Sequence, residues 1–532
     1  MMFSGNKWRY LKVLGPIVAG LPMIFACPTR PMEMPRAEIT SITGKIYPQS
    51  PEKDVDILFV IDNSSSMDQE QKNLRQNFPK LIEALRSYSL GPEVGVEGAI
   101  CTKTNTSGCA IPNVHIGVIS SDLGAGPYGY GACAKSQGDE GRLTNSPKTD
   151  GCIAPNDAYI TYADGVTNVA DGSASGVDSV KQALSCIAKL GTEGCGFEHH
   201  LEAAYWALDG GANRNPGFIR EDALLAIVVI ADEDDCSARR QDLFDQDPRR
   251  MEELGPLNFR CFKQSVNCDG AEVSHANEGP LNNCVAKTDE EGYLHPIKRY
   301  SEFFKGLKDD GRVLFTAIIG PNSPVFVEQG TEGAALEPSC SSDEFGLADP
   351  GIRIKSLVDD FGDEGAYSNI CAGDFGPPMK TLGEKIVGRI GGQCIAAPPL
   401  TRSGAIACKA GTPLGTNSKG ESTVCSNDSL AQVDCTIQES TRQNKAAEWK
   451  TVEKCSDALF NSDSRDCAGE CPCWRLAAKT TCVAESVGSP YGLEILREGD
   501  KEPEKGTVAK VSCHTSGYKW GTKEFADLPQ GE

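Results

Sequence analysis

Residues 55 to 66 read Val55-Asp56-Ile57-Leu58-Phe59-Val60-Ile61-Asp62-Asn63-Ser64-Ser65-Ser66. The first seven form a nearly unbroken apolar run, the pattern of a strand buried on both faces in a parallel sheet covered by helices. An Asp-x-Ser-x-Ser turn follows, and then Leu74, Phe78, Leu81, Ile82 and Leu85 recur at helical spacing, with Pro79 placed to kink or reset that helix. A buried strand, a polar turn and a helix in that order open an α/β fold.

The alternation continues outward. Strand composition returns at 114–120, 223–231 and 313–319, the last after a helix carrying Ile297, Tyr300, Phe304 and Leu307. Helical faces appear at Val177, Val180, Leu184 and Ile187 and at Leu201, Ala204, Tyr205 and Leu208, with two more helices near 354–361 and 379–390. The expected fold is a doubly wound, mostly parallel α/β sheet of Rossmann-like winding over residues 54–394, with insertions near 122–175, 236–294 and 320–350. Connections that long in a compact domain are functional or cross-linked. Residues 395–532 change character: they hold nine of the cysteines from 400 onward and only short apolar runs, at 492–496 and 507–511, with 501–506 as the turn between them. That reads as a small, mainly β module stapled by disulfides.

The amino terminus sets the compartment. Lys7, Arg9 and Lys12 precede an uncharged stretch from residue 13 to residue 26, too short to span a bilayer and patterned as a signal peptide over 1–26. Ile24-Phe25-Ala26-Cys27 resembles a bacterial lipobox, which implies lipidation of Cys27 and an anchored tether over the proline-rich residues 27–53. The 23 cysteines leave one unpaired if the others pair, and Cys27 has its own explanation. The other 22 point to an oxidising compartment, and the absence of zinc-site spacing argues against a zinc module. The expected location is the cell envelope, at the outer membrane. A net charge of −22 argues against nucleic acid as a partner.

The chemistry lies where the first strand stops. One carboxylate and two hydroxyls in a tight turn are hard oxygen donors, suited to a divalent cation, Mg²⁺ first and Mn²⁺ or Ca²⁺ next. Taken alone, the turn reads equally as a helix cap. A second apolar run, 224–231, ends in Asp232-Glu233-Asp234-Asp235. Ligands of doubly wound sheets bind beyond the carboxyl ends of strands, where the winding reverses.

These two motifs together resemble the von Willebrand factor A family over roughly residues 54–394. The resemblance implies that the two strands are neighbours at the switch point and that Asp62, Ser64, Ser66 and Asp232 form a metal-ion-dependent adhesion site. In that family the serines bind the ion directly, the aspartates bind directly or through water, and a partner protein supplies an acidic side chain. Residues 367–370, Asp374-Phe375 and the 379–390 helix are similar to the family's last strand and closing helix. The family's middle threonine falls on Cys195 here, which leaves Thr192 or Glu198 as the third ligand. Asp122 either accepts a hydrogen bond that holds a ligand loop or is simply the first residue of a loop. Cysteines at the metal loops would pin them, with Cys195 expected to pair with Cys186 and Cys236 with Cys261, Cys268 or Cys284. Cys340 and Cys371 are further disulfide candidates.

No GxSxG elbow or P-loop occurs, and Glu198-His199-His200-Leu201-Glu202 is neither HExxH nor HxxEH, so His199 and His200 read as helix-surface residues and the chain as a non-enzyme. The expected function is metal-dependent adhesion to a protein from a lipid anchor. The competing readings are an envelope scaffold or assembly factor whose domain is structural and, third, a secreted hydrolase.

Overall fold

The computed structural model describes residues 39–49, 54–86, 105–146, 151–170, 176–308, 311–391, 394–441 and 449–531, apart from short stretches inside those ranges, together with Leu90, Glu93 and Lys148. The signal peptide over 1–26 and Cys27 lie outside the described residues.

The central sheet has seven strands: β2 (Asp54–Ile61), β3 (Asn113–Ser120), β4 (Ile160–Ala163), β5 (Val166–Thr167), β6 (Leu224–Ile230), β7 (Val313–Ile319) and β8 (Gly365–Asn369), in the order β8-β7-β6-β2-β3-β4-β5. The pairs β2–β3, β2–β6, β6–β7 and β7–β8 are parallel, whereas β3–β4 and β4–β5 are antiparallel. The sheet is therefore mixed: the 122–175 insertion adds a short antiparallel hairpin to one edge. From β2 the chain winds outward through β3 to β5, then returns to β6 on the other side of β2. The winding reverses between β2 and β6.

Side chains alternate across β2, and the two faces are covered by different helices. Ile57, Phe59 and Ile61 pack beneath α1 (Asp68–Leu85), α2 (Gly176–Ile187) and α6 (Gly376–Gly391), while Leu58 and Val60 pack beneath α3 (His200–Leu208), α4 (Ile297–Gly306) and α5 (Ile352–Asp360). Burial on both faces explains the continuous apolar sequence of β2 and β6. Helix α1 runs through Pro79 unbroken. Proline cannot donate to the carbonyl four residues back, and that carbonyl, of Arg75, instead accepts the Ser185 hydroxyl of α2 at 3.3 Å.

A second sheet holds the carboxyl-terminal region. Its strands are β1 (Ile39–Pro48), β9 (Cys435–Thr441), β10 (Lys450–Lys454), β11 (Cys473–Ala478), β12 (Tyr491–Leu496) and β13 (Thr507–Ser516), ordered β1-β13-β9-β10-β11-β12. Two expectations are corrected here. Part of the expected tether, Ile39–Pro48, is an edge strand antiparallel to β13; its β-branched residues, three Ile and two Thr in ten, suit a strand. Also, β12 and β13 are not hairpin partners, since β12 pairs with β11 and β13 lies between β1 and β9.

Ten disulfides lie among the described residues. Five staple the insertions of the α/β region: Cys133–Cys195, Cys152–Cys186, Cys236–Cys261, Cys268–Cys284 and Cys340–Cys371. So many bridges mark an exported protein that folds in an oxidising compartment. No helix among the described residues is long and apolar enough to cross a membrane.

Candidate metal centre

Strands β2 and β6 pair in parallel register from Val55 with Leu224 to Ile61 with Ile230. The pairing extends one residue further, because the Asp62 amide donates to the Ile230 carbonyl at 2.9 Å. Asp62 and Asp232 therefore leave the sheet side by side, and oxygens of Asp62, Asp232 and Glu233 lie within 4.8 Å of one another.

Asp62 is fully buried and held from three sides. Its Oδ1 accepts the Ser64 amide at 2.7 Å and the Ser121 hydroxyl at 3.4 Å, and its Oδ2 lies 3.3 Å from Nε2 of His200. The Ser64 and Ser66 hydroxyls are 3.0 Å apart. Ser64 is buried and Ser66 is exposed, so the turn presents one side to solvent. Ser66 also donates to the Asp232 carboxylate. Gln71 locks this turn to the next loop: its Nε2 donates to the carbonyls of Asp62 and Gly191, both at 2.9 Å, and its Oε1 accepts the amides of Leu190 and Gly191, both at 3.2 Å. Gly194 brings that loop against Asn63, where a Cβ would stand 2.2 Å from the amide oxygen and would displace that side chain.

The electrostatics follow from crowding carboxyls in a dry place. Burial, then the Asp62 and Glu233 charges, push Asp232 up to about 9. Burial and Asp62 lift Glu233 to about 7, and burial with Asp62 and Asp68 lifts Glu70 to about 7. Burial and the neighbouring Glu233 and Asp62 hold Glu198 well above the carboxylate range, and it donates its proton to Glu233. Burial disfavours the His200 imidazolium, but the hydrogen bond and charge of Asp62 outweigh it and raise the ring.

Asp232 Oδ1, Glu70 Oε2 and Glu198 Oε1 are buried without a hydrogen-bond partner among the described residues. Buried polar atoms are rarely left so, and clustered carboxylates are stable when a cation neutralises them. Two serine hydroxyls and several carboxylates form a hard donor set. These residues fit a divalent cation.

The acidic run at the end of β6 divides its labour. Asp232 and Glu233 face the cluster. Asp234 accepts the Arg353 and Ile354 amides at the start of α5, at 2.8 and 3.2 Å. Asp235 accepts the Leu201 amide of α3 at 2.9 Å and binds the Arg353 guanidinium, also at 2.9 Å. The last two thus fix two helix starts around the site.

Of the residues read from the sequence, Asp62, Ser64, Ser66 and Asp232 converge. Glu198 joins them through Glu233. Thr192 lines a cleft beside Gln71 and Lys189 instead. Asp122 accepts the amides of Gly124, at 2.8 Å, and of Cys195, so it holds the Cys195 loop. Cys195 does not pair with Cys186: after Leu190 the loop turns away from α2 to reach Asn63, which carries Cys195 to Cys133, while Cys186 meets Cys152. Cys236 does pair with Cys261, and Cys340 with Cys371.

His199 and His200 are buried, not on the helix surface. The 236–294 insertion covers them, with Phe244 stacked on Phe197 at 4.2 Å and edge-on to His199 at 5.6 Å. The sequence reading missed Glu233, His200 and Glu70. Glu233 was signalled by adjacency to Asp232, and Glu70 by the polar series Glu70, Asn73, Asn77 at helical spacing, all buried. Nothing local marked His200, because the covering element lies in an insertion.

No family model matches the chain, and no curated protein matches it. Among solved structures it is similar to the pilus adhesin RrgA from Streptococcus pneumoniae at 9% identity and a TM-score of 0.24, over 91% of this chain and 59% of the adhesin chain. A likeness of that size carries no argument about fold or function.

Proposed function

We propose that this protein is an exported adhesion protein of the von Willebrand factor A type, which binds a partner protein through a divalent cation held by Asp62, Ser64, Ser66 and Asp232. One observation carries the reading: these four residues, from the turns that follow two strands far apart in sequence, meet at the switch point of the sheet with Asp232 Oδ1 unpartnered among the described residues. Bound there, Mg²⁺ would supply positive charge and an open position for an incoming carboxylate. Asp62 is kept oriented by the Ser64 amide and Ser121 hydroxyl, and Ser66 marks the solvent side from which the partner arrives. Glu233, whose carboxylate accepts from protonated Glu198, adds negative charge that retains the cation. Lipidated Cys27 anchors the chain to the outer membrane, and the protein is not an enzyme.

The test is a pull-down from envelope extracts with Mg²⁺ or with chelator, using wild type beside Asp62→Ala. Partners recovered only by wild type with Mg²⁺ support adhesion. The same partners in every arm would favour a structural scaffold.

A further inference from the structure

A cleft of about 600 Å³ opens beside the acidic cluster, between α1 and the loop after α2. It is lined by Lys72, Arg75, Lys148 and Lys189, with Asp68 and Glu193 the acidic members. The chain as a whole carries −22, so a cleft with four cations against two anions is a local reversal of sign. Other basic residues near acids are consumed in ion pairs, such as Arg86 with Glu93 or Arg353 with Asp235. Among the described residues, no ion pair engages Lys72, Arg75, Lys148 or Lys189. Arg75 is oriented by one hydrogen bond, from its Nε to the Ser185 carbonyl at 2.9 Å, which leaves its terminal nitrogens for a ligand.

The cleft adjoins the metal centre through Gln71. Gln71, which lines it, donates to the Asp62 carbonyl, and Asp68, Lys72 and Arg75 follow one face of α1 at helical spacing. Asp68 is at the start of the helix, next to the cluster, and Arg75 is seven residues on, roughly 10 Å along the axis. An extended peptide covers that distance in about three residues.

We propose that this cleft is a second anion subsite that receives acidic side chains of the partner, about three residues from the carboxylate that meets the cation. The proposal rests on the adhesion reading and specifies its ligand as an acidic segment, not a lone Asp or Glu. Lys72 and Lys148 are exposed, so the cations at the cleft mouth reach a segment lying along α1 without rearrangement.

The experiment measures fluorescence anisotropy of a labelled ten-residue peptide, with Asp at position 3 and Glu at positions 6 and 7, against the full chain. Its arms are Mg²⁺ or chelator, wild type or Lys72→Glu/Lys148→Glu/Lys189→Glu, and a peptide with Gln at positions 6 and 7. Circular dichroism confirms that the variant is folded, and none of its three positions belongs to the metal cluster. Three reversed charge contacts predict a loss of about tenfold or more for the triple variant, the two charges removed from the Gln peptide a loss of a few-fold, and wild-type binding falls steeply with salt. Loss on chelation with no effect of the triple variant would overturn the cleft and leave the metal reading standing. Loss in the triple variant with no effect of chelation would uphold the cleft and remove the metal reading. No binding of the peptide to wild type would also overturn the cleft.

Discussion

Replacing Asp232 by Asn should stabilise the metal-free protein and abolish its stabilisation by metal. In the absence of cation, burial together with Asp62 and Glu233 raises the Asp232 carboxyl from 3.8 to about 9. A raised acid keeps its proton in the fold after the unfolded chain has lost it. The resulting penalty is absent below pH 4, grows as pH rises, and levels off near the folded value. At pH 8 the ceiling for this one group is roughly 6 kcal/mol. Water reaching the site past exposed Ser66 reduces that figure, and Asn still accepts from Ser66, so the expected gain is about 1 to 3 kcal/mol, or several degrees in Tm. The assay is thermal unfolding in chelator at pH 5 and pH 8, then in Mg²⁺. At pH 5 the two proteins should differ little, and at pH 8 in chelator Asp232→Asn should unfold later. Cation at a thousandfold excess over its Kd should add about 4.1 kcal/mol to wild type and nothing to the variant, reversing the order. A variant that is less stable in chelator at pH 8, or equally shifted at both pH values, would refute the electrostatic reasoning.

Three further outcomes are expected. Cys133→Ser/Cys195→Ser should weaken cation affinity at temperatures where the far-ultraviolet circular dichroism of the sheet is unchanged, because the bridge pins a ligand loop and β2 and β6 pack without it; intact affinity would contradict this. Deleting residues 39–48 exposes the β13 edge, and hydrogen exchange of β13 amides should accelerate by about tenfold or more while β2 and β6 stay protected. Cys27→Ser should leave the protein exported but extractable without detergent, and mass spectrometry of the mature wild-type chain should show a lipid on Cys27.

The parallel strands were legible because burial on both faces leaves a continuous apolar run, and β7 spans the residues its composition indicates. Helix α1 was legible from its apolar spacing, but its unbroken run through Pro79 was not, since the partner that takes up the freed carbonyl, Ser185, belongs to another helix and left no local sign. The β1 edge strand was not legible: proline-rich flanks suggested a tether, and its partner β13 lies more than 450 residues away in the chain. The same logic divides the site. Asp62, Ser64, Ser66 and Asp232 sit at strand ends, where local pattern predicts them. Glu198 and His200 enter because Asp235, Ser237 and the 236–294 insertion draw the start of α3 inward, and Cys195 meets Cys133 because the Gln71 and Gly194 contacts turn its loop.

The most direct test of the metal centre is Mn²⁺ binding followed by electron paramagnetic resonance on the purified protein, with Asp62→Asn and Asp232→Asn alongside. One bound ion per chain is expected in wild type, competed by Mg²⁺ and lost in both variants. Equal binding by all three proteins, or none by wild type, would contradict it.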